Sequence, residues 1–136
     1  MSAPRFLLDT DVLSALARQT SAHAARRLAE LEAGSVALSV VTAAEVAFGL
    51  DKRPVGAAVA TRIHRLLQAL AVLPLQPHVA PHYGQTRAEL ERRGTPIGTN
   101  DLWLAAHALA EDLTVVTGNT REFSRVRGLK LENWLR

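Results

Sequence analysis

The sequence predicts an α/β fold in which a mostly parallel central sheet of four to five short strands carries helices on both faces. Three observations predict it. Brief apolar runs such as Arg5-Phe6-Leu7-Leu8 and Leu113-Thr114-Val115-Val116-Thr117 read as strands buried on both sides, the habit of parallel sheets. Longer stretches of helix formers separate these runs. Strands alternating with helical patterns imply crossover units that lay helices against the sheet.

The first strand ends abruptly at Asp9. Residues 12–18 and 21–33 predict two helices; the second has apolar positions at Ala25, Leu28, Ala29 and Leu31, and Gly34 acts as a stop. Val36-Ala37-Leu38 predicts the second strand. Ser39 or Thr42 is placed to cap a helix through Leu50, and residues 51–54 break the chain before a long helix over 55–70. Val72-Leu73-Pro74-Leu75 predicts a short third strand, which Pro74 confines to a sheet edge or a strand end. Helices follow over 79–93, stopped by Gly94, and 100–111, leading into the strand at 113–117. Leu129-Lys130-Leu131 predicts a last edge strand.

A chain of 136 residues fits one domain at about 100–200 residues per domain, so residues 1–136 are expected to form a single unit. Hydrophobic residues make up 48%, enough for a real core and too many for a disordered chain. The absence of cysteine excludes a disulfide scaffold, a thiolate zinc site and a cysteine nucleophile. No apolar stretch near the N-terminus has the length of a leader, and none elsewhere approaches the ~18 residues of a membrane span. A soluble, cytoplasmic protein is expected. Sixteen basic against thirteen acidic residues give +3. All but Lys52 and Lys130 of the basic residues are arginine, which forks well onto phosphate, though so modest an excess serves solubility equally well.

Ligands of an open parallel sheet bind outside the carboxyl ends of its strands. Asp9 and Asp11 follow the first strand, and Glu45 lies early in the helix after the second. Asp101 opens the helix leading into the 113–117 strand, and Asn119 and Glu122 follow that strand. These acids converge on one edge. Taken singly, each is explained by the favourable helix dipole, worth ~0.3–1 kcal/mol. Together they repel and raise one another's pKa unless a cation compensates, and a hard oxygen donor set suits Mg²⁺ or Mn²⁺. The chemistry inferred is metal-assisted phosphoester hydrolysis.

Four stretches carry a resemblance: Leu7-Leu8-Asp9-Thr10-Asp11-Val12-Leu13-Ser14, Ser39-Val40-Val41-Thr42-Ala43-Ala44-Glu45-Val46-Ala47-Phe48-Gly49, Ile97-Gly98-Thr99-Asn100-Asp101-Leu102-Trp103-Leu104-Ala105-Ala106-His107 and Val115-Val116-Thr117-Gly118-Asn119-Thr120-Arg121-Glu122-Phe123. In their order and spacing they resemble a PIN domain, and more narrowly the VapC-type ribonuclease toxins of toxin-antitoxin pairs. The resemblance spans nearly the whole chain. It implies a metal-dependent endoribonuclease in which Asp9, Glu45 and Asp101 match the family's metal-binding acids. At the fourth acidic position Asn119 stands where many PIN domains have aspartate, which leaves that role to Asn119, to Glu122, or to a site of three acids. Asp11, where relatives often have asparagine, ranks behind these ligands. Thr117 is placed to hydrogen-bond a ligand or a bound water, or to be an ordinary strand-end threonine. The resemblance also implies an RNA substrate, a cognate antitoxin whose basic side chain reaches the acids, a homodimer, and a larger assembly on operator DNA through the antitoxin.

Arg92, Arg93, Arg121, Arg125 and Arg127 flank the Asp101 and Asn119 segments and are candidate contacts to RNA phosphates, or solvated surface. His78 and His82 are spaced like zinc ligands, but Pro81 intervenes and no third ligand is near. Trp103 and His107, four apart, read as packing partners. Few aromatics argue against a base-stacking platform. Two rivals remain: an aspartate-based phosphoryl-transfer enzyme starting from Asp9-Thr10-Asp11, which lacks a well-placed lysine, and a non-catalytic protein-binding module whose acids cap helices.

Overall fold

The computed structural model describes residues 3–136; Met1 and Ser2, the start of the segment read as lacking a leader, lie outside the described residues. Five strands form one parallel sheet: β1 (Phe6–Leu8), β2 (Val36–Ser39), β3 (Ala71–Leu73), β4 (Thr114–Val116) and β5 (Lys130–Glu132), in the order β3-β2-β1-β4-β5. Between them run α1 (Thr10–Arg18), α2 (Ala22–Glu30), α3 (Val40–Lys52), α4 (Ala57–Ala69), α5 (Val79–Arg92), α6 (Thr99–Glu111) and the short α7 (Thr120–Phe123).

The period of two in the strands divides the core. Phe6, Leu8, Val36, Leu38 and Val116 face one layer with Val12, Leu13, Ile63 and Trp134, while Leu7, Ala37 and Val115 face the other with Leu90, Leu102, Leu104 and Phe123. Both layers are helical, as expected. Each fully buried Leu or Phe side chain stabilises by about 1.5–3 kcal/mol relative to exposure. The central strands β1 and β2 are wholly buried, whereas Ala71 and Val72 of β3 and Lys130 of β5 are exposed at the two sheet edges. The C-terminal segment closes the first layer, Trp134 packing edge-on against Phe6 at 5.7 Å.

Several boundaries differ from expectation for local reasons. α1 starts at Thr10 because the Asp9 carboxylate caps it by accepting from Thr10 N. Ser39 is the cap of α3, and Thr42 instead donates its hydroxyl to Leu8 O, tying α3 to the end of β1. α2 stops at Glu30, so Gly34, at φ 89°, serves the turn into β2 rather than the helix end. β3 occupies 71–73 and ends before Pro74, which has no N–H for a ladder. α7, a single turn, is too short to leave a period in the sequence.

In this strand order the chain leaves β1 toward β2 on one side and pairs β4 on the other, so a switch point falls between β1 and β4. Crevices at such points hold ligands. The residues after β1 and β4 are Asp9 and Thr117.

Candidate active site at the carboxyl edge of the sheet

Asp9 leaves β1 with its backbone N–H bonded to Val116 O and only 7% of its surface exposed. Its Oδ1 accepts from Thr10 N at 2.8 Å, and its Oδ2 accepts from the buried Thr117 hydroxyl at 2.8 Å across the switch point. Thr117 in turn accepts from Asn119 N at 3.0 Å, so the strand-end threonine orients Asp9 and starts the next turn. The Thr10 hydroxyl donates to Glu45 Oε1 at 3.1 Å, aligning the α3 carboxylate with the start of α1.

Glu122 and Asn119, the candidates for the fourth position, meet at Gly98, the N-terminal cap of α6. Glu122 Oε1 accepts from Gly98 N at 2.6 Å and its Oε2 accepts from Asn119 Nδ2 at 2.8 Å. A Cβ placed on Gly98 would lie 3.5 Å from Asp101 Oδ2 and 3.7 Å from Glu122 Oε1, so the two carboxylates flank the same stretch of backbone. Glu122 therefore sits beside Asp101, and Asn119 orients it.

The charges respond to this crowding. Burial, reinforced by Asp11 and Glu45, pushes the Asp9 carboxyl up to about 6 against the pull of its two donors. Burial, then repulsion from Asp9 and Glu122, pushes Asp101 up to about 7, and its hydrogen bond to Glu122 adds to the rise. Glu122 moves the other way, held below the usual carboxylate range by Asn119 and Gly98 N–H. Burial and repulsion thus favour the protonated form of Asp101, while its two donors favour the ionised form of Glu122. Among the described residues, neither Asp9, Glu45 nor Asp101 has an ion-pair partner.

The donor set consists of hard carboxylate oxygens that raise one another's affinity for a positive charge, which fits a divalent cation. Among the described residues no three Asp, Glu, His or Cys side chains are drawn to mutual chelating distance.

The remaining candidates divide. Asp11 is exposed and accepts from Gly118 N at 2.9 Å. A Cβ on Gly118 would come within 2.8 Å of Asp11 Oδ2 and Leu135 Cδ1, the ends of two flexible side chains that would have to swing away. Arg93 donates to Arg125 O and pairs with Glu89, Arg125 donates to Pro96 O at 2.9 Å, and Arg127 pairs with Glu89 at 2.9 Å. Arg125 thus holds the loop before α6, and Arg93 and Arg127 tie α5 to the segment after α7, while Arg92 and Arg121 are exposed with no ion pair among the described residues. His78 pairs with Glu111 at 2.9 Å, and it and His82 form no metal cluster. Trp103 and His107 each have a further partner: Trp103 stacks on Tyr83 at 4.0 Å, and the buried His107 lies 2.8 Å from Ser39 Oγ.

Sequence reasoning missed the Gly98 amide, the Thr10 hydroxyl and the Ser39–His107 pair. Their only signal was position, each lying within a short reach of an acid already singled out.

The PIN domain family model matches residues 6–129. The chain is 35% identical over 131 residues to a ribonuclease VapC2 of Haemophilus influenzae, covering 96% of this chain and 98% of that one. It is 36% identical over 130 residues to the tRNA(fMet)-specific endonuclease VapC of Shigella flexneri, with coverage of 96% and 98%. Its fold is similar to the DNA-bound VapBC of Salmonella typhimurium, with a TM-score of 0.87, 34% identity, and 96% and 98% of the two chains covered. With the carboxyl-edge acids set on this sheet and these relatives spanning almost the whole chain, the protein belongs to the PIN domain family, among its VapC ribonucleases.

Proposed function

We propose that this chain is an endoribonuclease that hydrolyses RNA phosphodiester bonds with Mg²⁺ or Mn²⁺, and that it is the toxin of a pair neutralised by a cognate antitoxin. The observation that carries the reading is the meeting of Asp9, Glu45, Asp101 and Glu122 at one sheet edge, with Asp9 and Asp101 raised to about 6 and about 7.

Asp9 and Asp101 would hold the cation, with Glu45 and Glu122 on either side. When bound, it supplies charge neutralisation at the phosphate and acidifies a water. Thr117 and Thr10 N–H fix both oxygens of Asp9, so its carboxylate does not reorganise on loading. The Thr10 hydroxyl does the same for Glu45. Asp101 must release the proton that it shares with Glu122, so loading is coupled to deprotonation and weakens in acid. Arg92 and Arg121, exposed on either side of the acids, supply cationic contacts that position the RNA backbone without reading its sequence.

The similarity to VapC ribonucleases supports RNA as the substrate class, and the DNA-bound VapBC relative supports an antitoxin partner through which operator DNA is engaged. A homodimer belongs to the same reading, supported by the exposed apolar side chains Val40, Val72 and Phe48, the last 65% exposed. Among the described residues no helix is long and apolar enough to cross a membrane, and a cytoplasmic site of action is part of the proposal. The aspartyl-phosphate rival is disfavoured: Lys130 pairs with Asp112 at the opposite edge and Lys52 lies over Phe48 near the end of α3.

Incubation of the purified chain with RNA, with and without Mg²⁺ or Mn²⁺, tests the reading. Cation-dependent cleavage that disappears in Asp9→Asn is expected. Cleavage unaffected by a chelator, or a trapped aspartyl phosphate, would overturn it.

A further inference from the structure

The helices that carry Glu45 and Asp101 meet through one buried polar contact. Ser39 stands six residues before Glu45 and His107 six residues after Asp101. Both side chains are fully buried, with His107 Nδ1 2.8 Å from Ser39 Oγ. Ser39 Oγ already accepts from Val41 N at 3.1 Å, which leaves its hydroxyl proton for Nδ1 of a neutral imidazole. Burial lowers the His107 pKa, and the groups that act on it from nearby are Glu111 on its own helix and His78 at the start of α5.

The contact is costly for a core. His107 Nε2 is buried without a hydrogen-bond partner, and an apolar side chain of similar volume would avoid both that loss and the desolvation of the ring. What the polar pair supplies is a single register, because a hydroxyl and an imidazole nitrogen meet at hydrogen-bond distance in only one relative placement of α3 and α6. α3 is fixed a second time by Thr42 on Leu8 O, close to where Asp9 begins. Through Ser39 and Thr42 the start of α3 is pinned to α6 and to β1, the two elements that carry the other acids.

We propose that Ser39 and His107 are a positioning pair that sets the spacing of Glu45 and Asp101 and so the affinity of this edge for a divalent cation. The inference rests on the cation-dependent reading above. It predicts that affinity and stability part company when the pair is broken. His107→Leu keeps or raises the melting temperature yet weakens Mn²⁺ binding by about tenfold, the effect typical of losing a group that orients ligands. His107→Asn, whose amide oxygen can stand where Nδ1 stood and accept the same hydroxyl proton, and Ser39→Thr retain most of the affinity. Ser39→Ala loses affinity as His107→Leu does and covers the case in which that variant fails to fold. Ile63→Val, which trims core packing on α4 but breaks no hydrogen bond, lowers the melting temperature without moving Mn²⁺ affinity.

The experiment is calorimetric titration of MnCl₂ into the wild type and these variants, with thermal unfolding of each. A folded His107→Leu or Ser39→Ala that binds Mn²⁺ as tightly as the wild type, or loss of affinity in step with melting temperature across all variants including Ile63→Val, overturns the positioning role alone. A wild type that binds no Mn²⁺ overturns the cation reading and this inference with it.

Discussion

The two edges of the sheet use the same acidic residue types to opposite effect. At the amino edge two acids have basic partners: Asp112 pairs with Lys130 at 3.0 Å and Glu111 lies 2.9 Å from His78 Nε2. At the carboxyl edge Asp9, Glu45 and Asp101 have, among the described residues, no ion pair, only neutral donors and one another. Exposed pairs of the first kind contribute ~0–1 kcal/mol and are satisfied. The second arrangement is destabilising at neutral pH until an ion or protons neutralise it. The difference separates charges that serve the fold from charges held against it.

The sharpest break of the comparison is at Asp9 or Asp101. Asp9→Asn and Asp101→Asn are each expected to lower RNA cleavage by roughly 10³-fold or more, the scale of several kcal/mol of lost transition-state stabilisation. Neither should lower the melting temperature of the metal-free protein above pH 7, because each substitution removes repulsion along with a ligand. A large loss of stability in Asp101→Asn would mean that it is chiefly a helix cap.

The second prediction concerns pH. Asp9 and Asp101 titrate near 6 and 7 in the folded chain, above the ordinary 3.8, so folding takes up protons between these values. Their contribution is complete below pH about 4 and is lost as pH rises through 6 and then 7. Discounted for solvent screening, the loss is on the order of 1–2 kcal/mol. Chelator-treated protein should therefore show this component falling from pH 5 to 8, and Asp9→Asn should remove part of the fall.

Gly118→Ala is the third. A Cβ 2.8 Å from Asp11 Oδ2 and Leu135 Cδ1 displaces the ends of two flexible side chains, at a cost of about 1 kcal/mol or less in thermal or urea unfolding. Because Gly118 lies between Thr117 and Asn119, cleavage should also fall.

Smaller effects test the periphery. Arg92→Ala or Arg121→Ala should weaken RNA binding uniformly across sequences and reduce the salt slope by about 0.7 each, the value for one phosphate contact on a single strand. Lys130→Gln, at the amino edge, should change stability by less than about 0.5 kcal/mol and leave cleavage unaltered. A large effect there would erase the contrast between the edges.

What the sequence disclosed follows the same line. Asp9, Glu45 and Asp101 were legible because each occupies a place fixed by local rules, directly after a buried strand or in the opening turns of a helix. The buried strands β1, β2 and β4 were legible for the equivalent reason, their apolar runs having no other home. The contacts that tune the site were not. Thr10 and Glu45 are 35 residues apart, Gly98 and Glu122 24, and Ser39 and His107 68, so only the assembled sheet brings them together. Helical spacing puts Trp103 and His107 on a shared face but does not reveal their partners across the fold, Tyr83 stacked on Trp103 and Ser39 against His107. The placing of Glu122 is likewise tertiary: Gly98 and Asn119 hold it near Asp101, which no spacing along the chain reveals.

The most direct test of an edge that needs a cation is the melting temperature measured with and without Mg²⁺ at pH 5 and pH 8. At pH 8 a saturating ion, at about 100 times its dissociation constant, should stabilise by about 2.7 kcal/mol, or roughly 5–10 °C for a chain of this size. At pH 5 the gain should shrink, because protons already occupy Asp9 and Asp101, and in Asp101→Asn it should be largely gone at either pH. An equal gain at both pH values, or one that survives in Asp101→Asn, would contradict the account.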